Sequence, residues 1–131
     1  AEAMRMALAQ AGLTAGDVDY INLHGTATPN NDSAEDLAIS AVFGVTTPCS
    51  STKGATGHTL GAAGGVEFVV SCMSVAENRI HGTLNYTTQD VDMDLDYVPN
   101  VGRDKKLGYT MSNSLAFGGL NTSLVFGPTP K

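Results

Sequence analysis

Charge, cysteine and aromatic side chains are all scarce in this 131-residue chain. Only 15% of residues are charged, there are two cysteines and no tryptophan, and phenylalanine and tyrosine number four each. Each scarcity excludes something. Cys49 and Cys72 are too few and too far apart for a disulfide framework or a zinc site, so both read as reduced, packed thiols. Lysine and arginine total seven against 13 acidic residues, a net charge of −6, which argues against nucleic acid or an anionic membrane as partner. No apolar run approaches the roughly 18 to 20 residues of a membrane helix, and no basic-then-apolar leader is seen; the two reduced thiols are those expected of a cytoplasmic protein. What is abundant is small and apolar: 42% hydrophobic residues and 15 glycines, in a length that fits one globular domain over residues 1–131.

The chain opens on "AEAMRMALAQAG" without an initiator methionine, as a piece of something longer would, and the prolines of "FGPTPK" read as a chain end. Met4, Met6, Ala7, Leu8 and Ala11 give a helical apolar face closed by Gly12. "VDYINLH" reads as a strand. A second helix is expected from Asp32 to Phe43, closed by Gly44, and "PCSSTK" as a short extended segment. A third helix, rich in glycine and alanine, is expected from about His58 to Asn78. "GTLNY", "LDYV", "KLGYTMSNSL" and "NTSLVFG" read as strands. The order predicts an α/β fold, a mixed sheet covered by helices.

Three glycine-bearing loops follow strand-like segments: "HGTATP", "KGATGH" and "NSLAFGGLN". Sites in open α/β sheets gather at the carboxyl ends of strands, so these loops are expected to bring His24 to Lys53, His58 and the backbone of Phe117. Asp32 and Glu35 have capping-box spacing, which a plain helix start would explain. "KGATGH" is not a phosphate loop, because its lysine precedes the glycines. His58 at a helix start would be held neutral by the dipole. His81 has no evident companion and is expected in solvent. His24, His58 and Asp32 have no recognised metal spacing, so no metal is assigned.

In combination, "HGTATPNND", "SSTKGATGHTLGAAGGVE", "LDYVP" and "SNSLAFGGLN" resemble the C-terminal half of the β-ketoacyl-acyl carrier protein synthases, condensing enzymes of the thiolase superfamily. The resemblance covers nearly the whole chain. It implies one half of an αβαβα sandwich. It also implies a decarboxylative Claisen condensation in fatty acid or polyketide synthesis, in which an acyl thioester is extended by malonyl-carrier protein.

By that resemblance His24 and His58 donate hydrogen bonds to the malonyl thioester oxygen, while Lys53 orders the site electrostatically with Glu35 as partner and Asp32 in the same network. Thr26 and Thr28 line the path of the carrier's phosphopantetheine arm, and Phe117 is a gate whose backbone N–H completes an oxyanion hole. No cofactor is implied beyond that arm. The implied partners are acyl carrier protein, the N-terminal half carrying the nucleophilic cysteine, and a second subunit in a homodimer.

Two departures stand out: Leu115 and Ala116 occupy places where many members have phenylalanine and glycine. Neither Cys49 nor Cys72 has the nucleophile's context, so the chain alone is expected to be inactive. Alternatives are a non-catalytic, chain-length-factor-like partner, which would generally have lost the histidines and lysine, and a carrier-protein-binding module.

Overall fold

The computed structural model describes residues 1–90 and 92–128. Its centre is a four-stranded sheet in the order β2-β1-β5-β6, formed by β1 (Val18–Asn22), β2 (Cys49–Ser50), β5 (Tyr109–Leu115) and β6 (Asn121–Phe126). Strand β1 runs parallel to β2 and β5, and β5 antiparallel to β6, so the sheet is mixed as expected. A second ribbon pairs β3 (Arg79–Ile80) with β4 (Arg103–Asp104).

Helix α1 (Glu2–Ala11) ends at Gly12, whose left-handed φ of 67° lets its N–H turn back to the carbonyls of Ala9 and Leu8. Helix α2 spans Pro29–Phe43. It starts three residues before Asp32, because Pro29 already has a helical φ and its missing N–H costs nothing in the first turn. Met4 and Leu8 of α1 and Ile39 of α2 pack with Val18, Ile21 and Met111 of the sheet in the main core.

The expected helix from His58 to Asn78 is two pieces, a 3₁₀ turn (Leu60–Ala62) and α4 (Ala63–Glu77), and a separate short helix α3 (Lys53–Thr56) precedes them. Gly57, at φ 69°, ends α3 and separates it from the turn. Helix α4 buries Ala63, Glu67, Ser71 and Ser74. Cys72 is exposed, a correction to its reading as packed, because it lies off that buried face; Cys49 is buried. The stretch Leu60–Glu77 is long and apolar enough to cross a membrane by length and composition, unlike the sequence reading. Glu67 in its middle is nevertheless 1% exposed and ion-paired, as a layer helix allows.

"GTLNY" and "LDYV" are not strands. One isolated bridge joins Thr83 to Pro99, and Asn85, Val98 and Asn100 have φ values of 61°, 48° and 56°, which an extended ladder cannot hold.

Candidate functional site

Register places the functional loops together. Ile21 pairs with Cys49, and Asn22 with both Ser50 and Ser112, so the loops after β1, β2 and β5 leave the same edge of the sheet. His24 lies two residues beyond β1, Lys53 three beyond β2, and Phe117 two beyond β5.

His24 is 6% exposed, and its backbone N–H donates to Glu35 Oε1 at 2.9 Å while that of Gly25 donates to Oε2 at 2.9 Å. Burial pushes the Glu35 carboxyl upward, opposed by these two donors, by Asn113 and by the Lys53 charge. Lys53 Nζ lies 3.5 Å from His24 Nδ1. An ammonium has only donors, so Nδ1 is the acceptor and the neutral ring carries its proton on Nε2. Burial first, then the cation of Lys53 and then His58, push the His24 pKa down to about 4.

His58 packs edge-to-face on His24, with centroids 5.2 Å apart and planes at 84°. It lies in the exposed turn between α3 and the 3₁₀ turn rather than at a helix start, so the dipole argument does not apply. A local donor takes its place: Leu60, held at φ 53°, gives its N–H to His58 Nδ1 at 3.2 Å. The proton of the neutral ring is again on Nε2.

The ion-pair partner of Lys53 is Glu67, not Glu35. Both Glu35 oxygens are taken by backbone N–H groups, whereas Glu67 faces β5 from α4 and accepts a 3.0 Å bond from Ser114 Oγ on its second oxygen. The Lys53 and Glu67 side chains are 6% and 1% exposed. Asp32 is likewise not a cap. It sits inside α2, accepts from Asn31 Nδ2 at 3.1 Å, and lines the cavity described below.

That cavity, of about 460 Å³, is walled in part by Thr26, Asp32, Lys53, His58 and Tyr97. His24 itself is off the wall, in contact with Lys53 and His58, which are on it. Thr26 and Thr28 bond through their hydroxyls at 2.8 Å. Phe117 is fully exposed in a 3₁₀ turn, Phe117–Gly119, and is not among the residues walling the cavity.

Sequence reasoning passed over several contributors. Ser51 and Thr83 bond across the loops, and the Tyr97 hydroxyl donates to buried Asp36. His81 is half-buried rather than solvated, because Tyr20 and Ser50 reach it from β1 and β2. Its Nε2 accepts from the Tyr20 hydroxyl at 2.8 Å while its Nδ1 donates to the Gly82 carbonyl at 3.2 Å. Only Glu67 carried a visible signal, as the lone charge within "GAAGGVEFVVSC". The rest are contacts between distant segments.

Chemically, two imidazoles in contact, each with Nδ1 facing a donor, present two Nε2–H groups for an oxygen that gains negative charge. A mixed α/β layer with this edge of histidines and lysine defines the class, the fold shared with thiolase-like ketosynthases. Residues 1–87 match the family described as "Beta-ketoacyl synthase, C-terminal domain", and the chain belongs to that family. It is 46% identical over 127 residues to 3-oxoacyl-[acyl-carrier-protein] synthase 2 of Staphylococcus aureus, covering 95% of this chain and 32% of that protein. A β-ketoacyl synthase from Burkholderia phymatum superposes with a TM-score of 0.95 at 42% identity, over 98% of this chain and 32% of that one. A type II PKS ketosynthase, bound to a hexaketide and in complex with its acyl-carrier protein, gives 0.93 at 36% identity over 97% and 32%. The chain thus spans about a third of the length of the relatives it matches.

Proposed function

We propose that this chain is the C-terminal catalytic portion of a β-ketoacyl-acyl carrier protein synthase acting in fatty acid or polyketide synthesis. It supplies the decarboxylation and enolate stabilisation of a decarboxylative Claisen condensation. The observation that carries the reading is the His24–His58 contact at 5.2 Å, in which both Nδ1 atoms already meet donors. When malonyl-carrier protein loses CO2, the electrons of the broken C–C bond move onto the thioester oxygen as an enolate. Two preorganised N–H donors stabilise that charge without rearranging. The enolate carbon then attacks the acyl thioester and expels the thiolate of the cysteine that held it.

That cysteine belongs to the N-terminal part of the synthase. Burial pushes the Cys49 thiol up, away from thiolate character, and Cys72 sits on the open face of α4, so neither takes the role. Lys53, bound to Glu67, contributes a fixed positive field beside His24. Thr26 and Thr28 serve the phosphopantetheine arm of acyl carrier protein, and Asp32 and Glu35 support the loop. Phe117 contributes its backbone N–H and a gate, which Leu115 and Ala116 tune. No other cofactor is used. The working enzyme is a cytoplasmic homodimer of complete subunits, and the 131-residue chain alone is inactive.

The test is a malonyl-carrier protein decarboxylation assay with the complete synthase and its His24→Ala and His58→Ala variants. Loss of CO2 release with retained acyl transfer to the cysteine supports the reading. Normal CO2 release by both variants overturns it.

A further inference from the structure

Two loops bearing the functional groups, His24–Gly25 and Ser51–Lys53, meet at a single hydroxyl. Ser51 is 6% exposed; its Oγ donates to the Gly25 carbonyl at 2.8 Å and accepts the Lys53 backbone N–H at 3.2 Å. Its own N–H donates to Thr83 Oγ1 at 3.2 Å, and that hydroxyl donates in turn to the Tyr97 carbonyl at 2.6 Å. The Gly25 residue is therefore held at both polar groups, its N–H by Glu35 and its C=O by Ser51. The contact has no slack, since a Cβ built on Gly25 would lie 2.7 Å from Ser51 Cβ.

We infer, resting on the function proposed above, that Ser51 is a positioning residue whose hydroxyl sets the spacing between His24 and Lys53. Its hydroxyl meets backbone groups on both loops and none of the side chains assigned to the reaction, so it acts through the two loops it joins. The spacing it sets is sensitive. At 3.5 Å, the Lys53 Nζ to His24 Nδ1 contact is at the outer limit of a hydrogen bond, and a slip of a few tenths of an ångström abolishes it. Without the hydroxyl, the Gly25 carbonyl and the Lys53 N–H both lose this partner and the loops relax apart. A hydroxyl that merely stabilised the fold would change the unfolding midpoint and leave His24 titrating as before.

The experiment uses the complete synthase that carries this chain, ¹³C-labelled at histidine, as wild type, Ser51→Ala and Ser51→Cys. In the folded Ser51→Ala protein the His24 titration is expected to move up by about one pH unit, the usual scale of a neighbouring-charge effect. Decarboxylation of malonyl-carrier protein is expected to fall roughly ten- to a hundredfold in kcat at unchanged KM. A folded Ser51→Ala protein with His24 unmoved and kcat unchanged overturns the inference. Should Ser51→Ala not fold, Ser51→Cys, similar in shape but a weak donor, is read by the same two outcomes. Absence of decarboxylation in the wild type would instead overturn the proposed function, and the His24 titration would still decide the role of Ser51.

Discussion

The Lys53 ammonium stands 3.5 Å from His24 Nδ1, so the same cation that orients the ring also opposes its protonation. Orientation and neutrality are thus one electrostatic effect. An imidazole that must donate from Nε2 to a developing oxyanion needs both.

Replacing Lys53 by Met separates the two contributions. Burial remains while the neighbouring charge goes, so the His24 pKa is expected to rise from about 4 without regaining its ordinary 6.5. Glu67, 1% exposed, is left as a buried carboxylate without its cation, at a cost of about 3–5 kcal/mol in stability. Histidine NMR titration and denaturant unfolding of the complete protein read the two effects. An unchanged His24 titration would show that the Lys53 charge does not reach the ring.

On the proposed function, His58→Ala removes one of the two N–H donors to the enolate oxygen. In the complete synthase this is expected to cost about 2.7–4 kcal/mol of transition-state stabilisation, a hundred- to thousandfold in decarboxylation. Acyl transfer onto the cysteine, which generates no enolate, should continue. Near-normal CO2 release would leave His58 with only a packing role.

How far the sequence revealed this site divides by range. The pair His24 and His58, with Lys53, was legible because "HGTATP" and "KGATGH" each follow a strand, and parallel strands deliver their trailing loops to one edge. The ends of α1 and α2 were legible in Gly12 and Gly44. The partner of Lys53 was not, because Glu35 and Glu67 are equally acidic in sequence and only the fold commits both Glu35 oxygens to backbone N–H groups. His81 seemed alone for the same reason: Tyr20 and Ser50 lie 61 and 31 residues away in the chain. "GTLNY" misled because its β-like composition is overridden by the left-handed turn at Asn85.

Gly25→Ala tests how tightly the first loop is built. At φ 43° an alanine carries about 1–2 kcal/mol of backbone strain, and its Cβ would sit 2.7 Å from Ser51 Cβ, adding roughly 1–3 kcal/mol of overpacking. The unfolding midpoint should drop accordingly, whereas Gly12→Ala, with open space around its Cβ, bears only the strain. Equal losses at the two sites would mean that the Ser51 contact is soft.

Acid should loosen the protein through its histidines. Burial depresses both His24 and His81 below the ordinary 6.5, so below that value the unfolded chain takes up protons that the folded one refuses. Stability is therefore full above about 6.5 and is lost as pH falls toward the folded values, about 4 for His24. Unfolding free energies measured between about pH 7 and pH 5 should slope downward with acid, and less steeply in His24→Asn and His81→Asn variants. Parallel slopes in wild type and variants would place the acid sensitivity elsewhere.

The last expectation concerns α4, which is turned inside out for an isolated layer. Toward the sheet it presents Ala63, Glu67, Ser71 and Ser74, while Phe68, Val69 and Met73 are 48%, 53% and 52% exposed. Phe68 continues the patch onto the sheet through its edge contact with Phe126, and Leu124 of the same strand is 49% exposed. Charged and hydroxyl groups inside with large apolar groups outside is the reverse of a solvated helix, and a contiguous apolar patch of this kind is rare on soluble monomers. The relatives, of which this chain spans about a third, have in their other two thirds sequence that could cover such a patch. The 131-residue chain produced alone is therefore expected to self-associate, bind a hydrophobic dye, or capture the separately produced N-terminal part. Phe68→Glu with Met73→Lys should make the isolated chain monomeric and at the same time abolish that capture. A wild-type chain that stays monomeric and dye-silent at high concentration would mean that α4 faces solvent in the complete protein as well.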